Sequence, residues 1–173
     1  MDSLLTPVEA EHAEALYPMV KDSPVTATIL WDGPESLAAY RAGLAEREAS
    51  VKAGTLHMFT IVDPETGKPA GSIDIRPEEG GFRADIGLWI GVPFHGRGLG
   101  TRAVRAIARY GFENLGLAKI EGKIFVGNEA SRRAFEKAGF RCEGTLRRCA
   151  MKRGRLVDEW VMGILPEELP PEI

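Results

Sequence analysis

The segment His95-Gly96-Arg97-Gly98-Leu99-Gly100-Thr101 stands where an apolar strand pattern gives way to an amphipathic helix pattern. Glycines let a backbone turn its N–H groups inward, and a helix N-terminus adds partial positive charge, so such a segment can cradle a phosphate. A P-loop ends in Gly-Lys-Ser/Thr; Gly-Leu-Gly-Thr excludes it. The dinucleotide fingerprint needs G-x-G-x-x-G inside a parallel βαβ unit, whereas these glycines run G-x-G-x-G after what reads as a meander. Glu121 falls near the distance expected for a ribose contact, but inside a strand pattern. A glycine-rich turn without a ligand stays open as the alternative.

Other reactive residues are sparse. Asn128 stands where a helix N-cap belongs, with Ser131 at the third helical position. Cys142 and Cys149 are the only cysteines. They read as small buried thiols in a reducing compartment, with no neighbouring histidine to activate either one. His12, His57 and His95 lack metal-ligand spacing, so no metal is expected. Charge is uneven: residues 1–80 hold 14 Asp/Glu against 6 Lys/Arg, and residues 81–173 hold 11 against 16. A basic half suits a phosphate-rich partner and an acidic half a cationic one, but solvated helix faces account for the pattern equally well.

These residues need elements to hold them. With 44% apolar and 27% charged residues in 173, the chain has the size and make-up of one globular domain. No apolar run is long enough to cross a bilayer, and Asp2 and Glu9 argue against a secretory leader. A short strand at Leu4–Val8 precedes helices near Glu9–Lys21 and Glu35–Lys52, separated by the Trp31-Asp32-Gly33-Pro34 turn. Strands at Met58–Val62, Ala70–Ile75 and Ala84–Gly91 form the meander. Then come a helix from about Thr101 to Phe112, a strand at Lys119–Val126 and a helix at Glu129–Ala138. Gly139 fits the left-handed residue beyond that helix, and Phe140 its hydrophobic contact. Glu143–Met151 and Leu156–Leu165 close as a hairpin.

Ile90–Thr101 resembles the acetyl-CoA signature of the GNAT superfamily of N-acetyltransferases. Asn128–Phe140 resembles that family's Asn-x-x-Ser…Lys-x-Gly-Phe segment. Two such motifs about 30 residues apart, with the element order around them, extend the resemblance over nearly the whole chain. Trp31 and Glu143–Arg147 make it most similar to the RimJ/RimL-like branch, whose members acetylate protein N-terminal amines. His95 departs from the Arg, Gln or Trp usual at its position. The resemblance implies a mixed α/β (α+β) fold, a mostly antiparallel sheet of about seven strands splayed between the fourth and fifth, with about four helices.

It also implies roles. Acetyl-CoA is the co-substrate. Its pyrophosphate would lie on His95, Gly96, Arg97, Gly98, Leu99, Gly100 and Thr101, with Arg97, Arg102 and Arg133 as phosphate candidates. Its pantetheine arm would meet backbone at Leu88 and Ile90 and the side chain of Asn128. Ser131 would protonate the leaving thiolate or serve only as a capping partner. The amine attacks the thioester directly, with Asp85 as candidate base through water or as a plain structural carboxylate. A further carboxylate that the branch places after its Glu-Gly pair falls here on Ala150 or Met151. An α-amine, about a tenth neutral at pH 7, needs less help than a lysine, so a protein or peptide N-terminus is the expected acceptor. Trp31 and Tyr40 are candidates for its pocket, though their spacing fits packing. Small-molecule amines and a non-catalytic CoA-binding module are the alternatives. A cytoplasmic protein is expected, with no membrane or direct nucleic-acid partner and with a homodimer allowed.

Overall fold

The computed structural model describes residues 4–171. Among them are seven strands: β1 (Leu5–Pro7), β2 (His57–Val62), β3 (Pro69–Pro77), β4 (Arg83–Ile90), β5 (Lys119–Phe125), β6 (Arg141–Lys152) and β7 (Arg155–Ile164). Four α-helices accompany them: α1 (Ala13–Val20), α2 (Leu37–Lys52), α3 (Leu99–Leu115) and α4 (Glu129–Ala138). The strands form one sheet in the order β1-β2-β3-β4-β5-β7-β6. Pairing is antiparallel for β1 with β2, β5 with β7 and β6 with β7, and parallel for β4 with β5. The mixed α/β class expected from the sequence is what the chain forms. No helix among the described residues is long and apolar enough to cross a membrane.

The chain divides into two compact units. One comprises the residues up to Asp74 together with Leu88–Leu99; the other comprises Ile75–Gly87 and the residues from Gly100 onward. In the first, α1 and α2 close on a buried cluster of Val8, Ala13, Leu16, Val20, Tyr40 and Leu44. Ser36 caps α2 by accepting the Ala39 N–H at 3.1 Å. Helix α1 starts later than its apolar spacing suggests, because Ala10–His12 winds as a 3-10 turn. Strands β2 and β3 join through Asp63–Gly67, where Gly67 donates to the Asp63 carbonyl at 2.8 Å.

In the second unit the faces of β5 differ. Gly111 of α3 has the methyls of Ile120, Ile75 and Leu117 so near that a Cβ would crowd them. A Cβ on Gly122 would strike the ring of Phe135 on α4. Ile120, Gly122 and Ile124 therefore face the helices, and Glu121, Lys123 and Phe125 face away. Registry carries this alternation to β7: Trp160, opposite Ile124, points with the helices, and Glu159, opposite Phe125, points away. Helix α4 ends as its sequence predicts, with Gly139 at φ 106°, Phe140 N–H on the Phe135 carbonyl at 3.0 Å, and the two rings edge to face at 5.0 Å.

Candidate active site

The loop after β4 is built to keep its backbone open. Gly96 and Gly98 sit at φ 75° and 73°, a left-handed conformation that costs other residues roughly 1–2 kcal/mol. No atom lies within 4 Å of where a Cβ on either would project. Among the described residues nothing accepts the N–H groups of Gly96, Arg97 or Gly98. The chain then enters α3 at Leu99, two residues before the expected Thr101. Gly100 thus lies inside the first turn despite its poor helix propensity, and its missing side chain leaves Ala134 at 3.7 Å from the Cβ position. Free N–H groups running into a helix N-terminus form a site that fits a diphosphate.

Two side chains hold this loop. His95 Nε2–H donates to the Ile90 carbonyl at 2.8 Å, so the imidazole ties the loop to the end of β4. That takes one lone pair of a carbonyl that the family resemblance implies for the pantetheine arm. Arg97, expected at phosphate, turns instead to the β2–β3 turn. Its guanidinium lies 3.2 Å from Asp63 Oδ1, pairs with Glu65 Oε2, and rests over the Phe94 ring at 5.7 Å. Two carboxylates already neutralise it, which leaves its backbone N–H as the better anion contact.

Asn128 caps α4 by accepting the Ser131 N–H at 3.3 Å. No reciprocal bond completes a capping box, and among the described residues the Ser131 hydroxyl has no hydrogen-bond partner. Ser131 thus serves the cap through its backbone N–H and not through its side chain. Arg133 and Arg102 are exposed and without an ion-pair partner among the described residues. Several other basic residues of this half are neutralised by neighbouring acids: Lys119 by Glu121 and Glu143, Arg109 by Glu113, Arg132 by Glu136, Arg141 by Glu168.

Asp85 is bound to Arg76 through Oδ2 at 2.6 Å, while its Oδ1 is buried with no partner among the described residues. Leu88 and Ile90 are half-buried on β4. The parallel register pairs Arg83–Ile86 with Lys119–Gly122, and β4 runs on to Ile90 and β5 to Phe125. Trp31 stacks on Tyr40 at 5.8 Å, and Tyr40 is buried in the α1–α2 core. Burial raises the pKa of the Tyr40 hydroxyl far above its ordinary value, so it does not exchange protons near neutrality. Tyr40 is thus core, and Trp31 is the partly exposed member of the stack.

The cysteines correct the sequence reading. Both are exposed and free, because β6 is an edge strand with most of its residues in solvent. Cys149 Sγ reaches Glu159 Oε2 at 3.2 Å; burial of the sulfur and this hydrogen bond raise the thiol pKa, which disfavours a nucleophilic thiolate. Glu159 itself, buried on the face away from α4, is a carboxylate the sequence reading missed. Its only signal was an acid alternating with the apolar residues of the last strand.

Residues 3–141 match the family described as Acetyltransferase (GNAT) domain. The chain belongs to the GNAT acetyltransferase family. This GNAT chain is 32% identical over 117 residues to the uncharacterized N-acetyltransferase p20 of Bacillus licheniformis, covering 66% of the chain and 65% of that protein. It is 43% identical over 65 residues to a putative ribosomal N-acetyltransferase, YdaF, of Bacillus subtilis, covering 38% of the chain and 36% of the relative. The chain thus spans between about a third and two thirds of these curated relatives. A GNAT-family acetyltransferase structure from Bacillus anthracis shares the fold at TM-score 0.82 and 24% identity, with 95% of each chain covered. Among the described residues no group of three or more His, Cys, Asp or Glu could hold a metal ion.

Proposed function

We propose that the whole chain acts as one acetyltransferase domain, moving an acetyl group from acetyl-CoA to the N-terminal α-amine of a protein or peptide in the cytoplasm. The observation that carries this reading is the open glycine loop. Gly96 and Gly98 at positive φ leave N–H groups without acceptors among the described residues, directly before α3. Those groups and the first turn of α3 would hold the pyrophosphate, with Arg133 as a candidate phosphate contact. Backbone at Leu88 and Ile90, with Asn128, would align the pantetheine arm. The coenzyme, when bound, supplies an acetyl thioester.

What remains for the chain is to position an amine and move protons. The free hydroxyl of Ser131 supports its role as proton donor to the departing thiol. Asp85, held by Arg76 through Oδ2, would take the amine's proton through water, and a carboxylate is an intrinsically weak base. A weak base suits an α-amine, which is partly neutral at pH 7 already, better than a lysine. Trp31 would line the rim of the acceptor site. The similarity to YdaF, named a putative ribosomal N-acetyltransferase, supports a protein acceptor. Free thiols at Cys142 and Cys149 suit a reducing compartment. Met151 and Leu156, exposed at the tip of the last hairpin, support a homodimer.

Turnover on N-terminal peptides, N-blocked lysine peptides and small amines tests the acceptor. Faster transfer to lysine or to a small amine would overturn it. Thermal melting tests the donor: at a hundred times its Kd, acetyl-CoA stabilises the native state by roughly 2.7 kcal/mol, and an unmoved midpoint would overturn that half.

A further inference from the structure

The outer hairpin carries an irregularity that the donor site does not use. Between Leu146 and Ala150, β6 holds more residues than β7 holds between Glu159 and Val157, so the register shifts and β6 bulges. Within the bulge Arg148 takes φ 51°, an uncommon conformation for a side-chain-bearing residue. Asp158 holds it there, its Oδ1 accepting the Arg148 N–H at 2.7 Å. Thr145, Leu146, Arg147, Arg148 and Asp158 line a shallow cavity at this point, wide open to solvent and with all but Asp158 exposed. A side chain of a bound peptide can lie in such an open cavity without being enclosed.

The charge of this cavity is unbalanced. Arg76, Arg83, Arg97, Arg109, Arg132 and Arg141 all pair with carboxylates. Arg147 and Arg148 have no acidic partner among the described residues. Of the two carboxylates at the bulge, Asp158 accepts the Arg148 backbone N–H and the buried Glu159 accepts from the Cys149 thiol, so neither pairs with a guanidinium there. The cavity also lies close to the end of β5. The Val126 N–H donates to the Asp158 carbonyl at 2.9 Å, and Asn128, cap of α4, follows two residues later.

We propose that this bulge is an anion subsite for the acceptor, in which Arg147 and Arg148 take the carboxylate of an acidic side chain close behind the reacting amine. The proposal rests on the acetyl-transfer reading, in which Ser131, in the first turn of the helix that follows β5, protonates the departing thiol; the thioester would then lie near the end of β5. From Phe125 through Glu159 to Leu146 is two strand spacings of about 4.8 Å each. An extended peptide advances about 3.3–3.6 Å per residue. The acid therefore belongs at the second, third or fourth position. A guanidinium fork recognises a carboxylate in two-point geometry.

The test uses neutral peptides with aspartate at the second, third or fourth position, each matched to one with asparagine there. Binding to the full chain is read by anisotropy, with and without coenzyme A, alongside acetyl transfer. At one position or more the aspartate peptide should bind about tenfold tighter or better, a preference that weakens with salt. In the double variant Arg147→Gln/Arg148→Asn the ratio should fall to about one; asparagine tolerates the left-handed backbone, and a melting curve checks the fold. Arg147→Glu should shift preference toward lysine in the same position. Equal binding of aspartate and asparagine peptides at all three positions would overturn the proposal, as would a ratio that survives in the double variant. An acetyl-CoA titration that leaves the melting temperature unmoved would sink the donor reading instead, and the peptide ratio is still read without coenzyme.

Discussion

Arg97 reaches the almost fully buried carboxylate of Asp63 at 3.2 Å, which ties the glycine loop to the turn between β2 and β3. The pair makes Arg97 an anchor of the loop. Arg97→Gln and Asp63→Asn should therefore weaken acetyl-CoA binding to a similar degree, and the double variant should be little worse than either single one. A direct phosphate contact would behave otherwise: Arg97→Gln alone would weaken binding, and the effects would add. Titration calorimetry on the four proteins decides between them.

The same pair makes acid stability depend on Asp63. The Thr66 hydroxyl, the Glu65 N–H and the Arg97 charge lower its pKa, against burial, which raises it. A carboxyl whose pKa is lower folded than unfolded adds stability above the unfolded value, about 3.9, and loses it as pH falls through the folded value. Wild-type protein should exceed Asp63→Asn in stability at pH 6, and the gap should close below pH 4. Urea midpoints from pH 2 to 6 would show it; a constant gap would mean that the carboxylate contributes nothing through its charge.

How far the sequence carries can be judged from single residues. Asn128 and Gly139 bound α4 correctly because caps are local: each depends on residues within four positions. The glycine loop was legible for the same reason. The side chains that act across strands were not. Nothing beside Arg97 in the chain announces Asp63 or Glu65, some thirty residues earlier, and nothing near Cys149 announces Glu159. The cysteines were read as buried from residue type alone; their exposure follows from β6 lying at the sheet edge, a topological fact without a local mark.

Gly98→Ala should separate conformational cost from crowding. Space around its Cβ position is empty, so the penalty comes from φ 73° alone, roughly 1–2 kcal/mol or a relaxed loop that avoids it. Either outcome turns the N–H groups away from an anion. Affinity for acetyl-CoA should drop about tenfold or more while peptide affinity changes little. Unchanged acetyl-CoA affinity would remove the loop from the donor site.

Asn128 and Ser131 should part company in the melting curve. Asn128→Ala removes the cap of α4 and should cost about 1 kcal/mol. Ser131→Ala removes a hydroxyl with no partner among the described residues and should leave the midpoint in place. If Ser131 protonates the thiol, the loss appears in kcat, with KM for acetyl-CoA little changed. A destabilised Ser131→Ala protein with normal kcat would return the residue to a structural part.

The proton route is tested by how a loss of rate varies with pH. An α-amine titrates near 7.7–8.0, so the neutral fraction that attacks the thioester rises steeply from pH 6 to 8 and then levels. A base that removes the amine's proton matters most where the amine is still charged. Asp85→Asn should therefore slow transfer about a hundredfold near pH 7, with the deficit narrowing toward pH 9. Glu159, the buried carboxylate on the same strand face as Phe125, is the competitor for this role. A larger, pH-dependent loss in Glu159→Gln than in Asp85→Asn would move the base to β7. It would also explain why Asp85 is committed to Arg76: that carboxylate would then serve the sheet, and its buried Oδ1 would be a structural cost rather than a reactive atom.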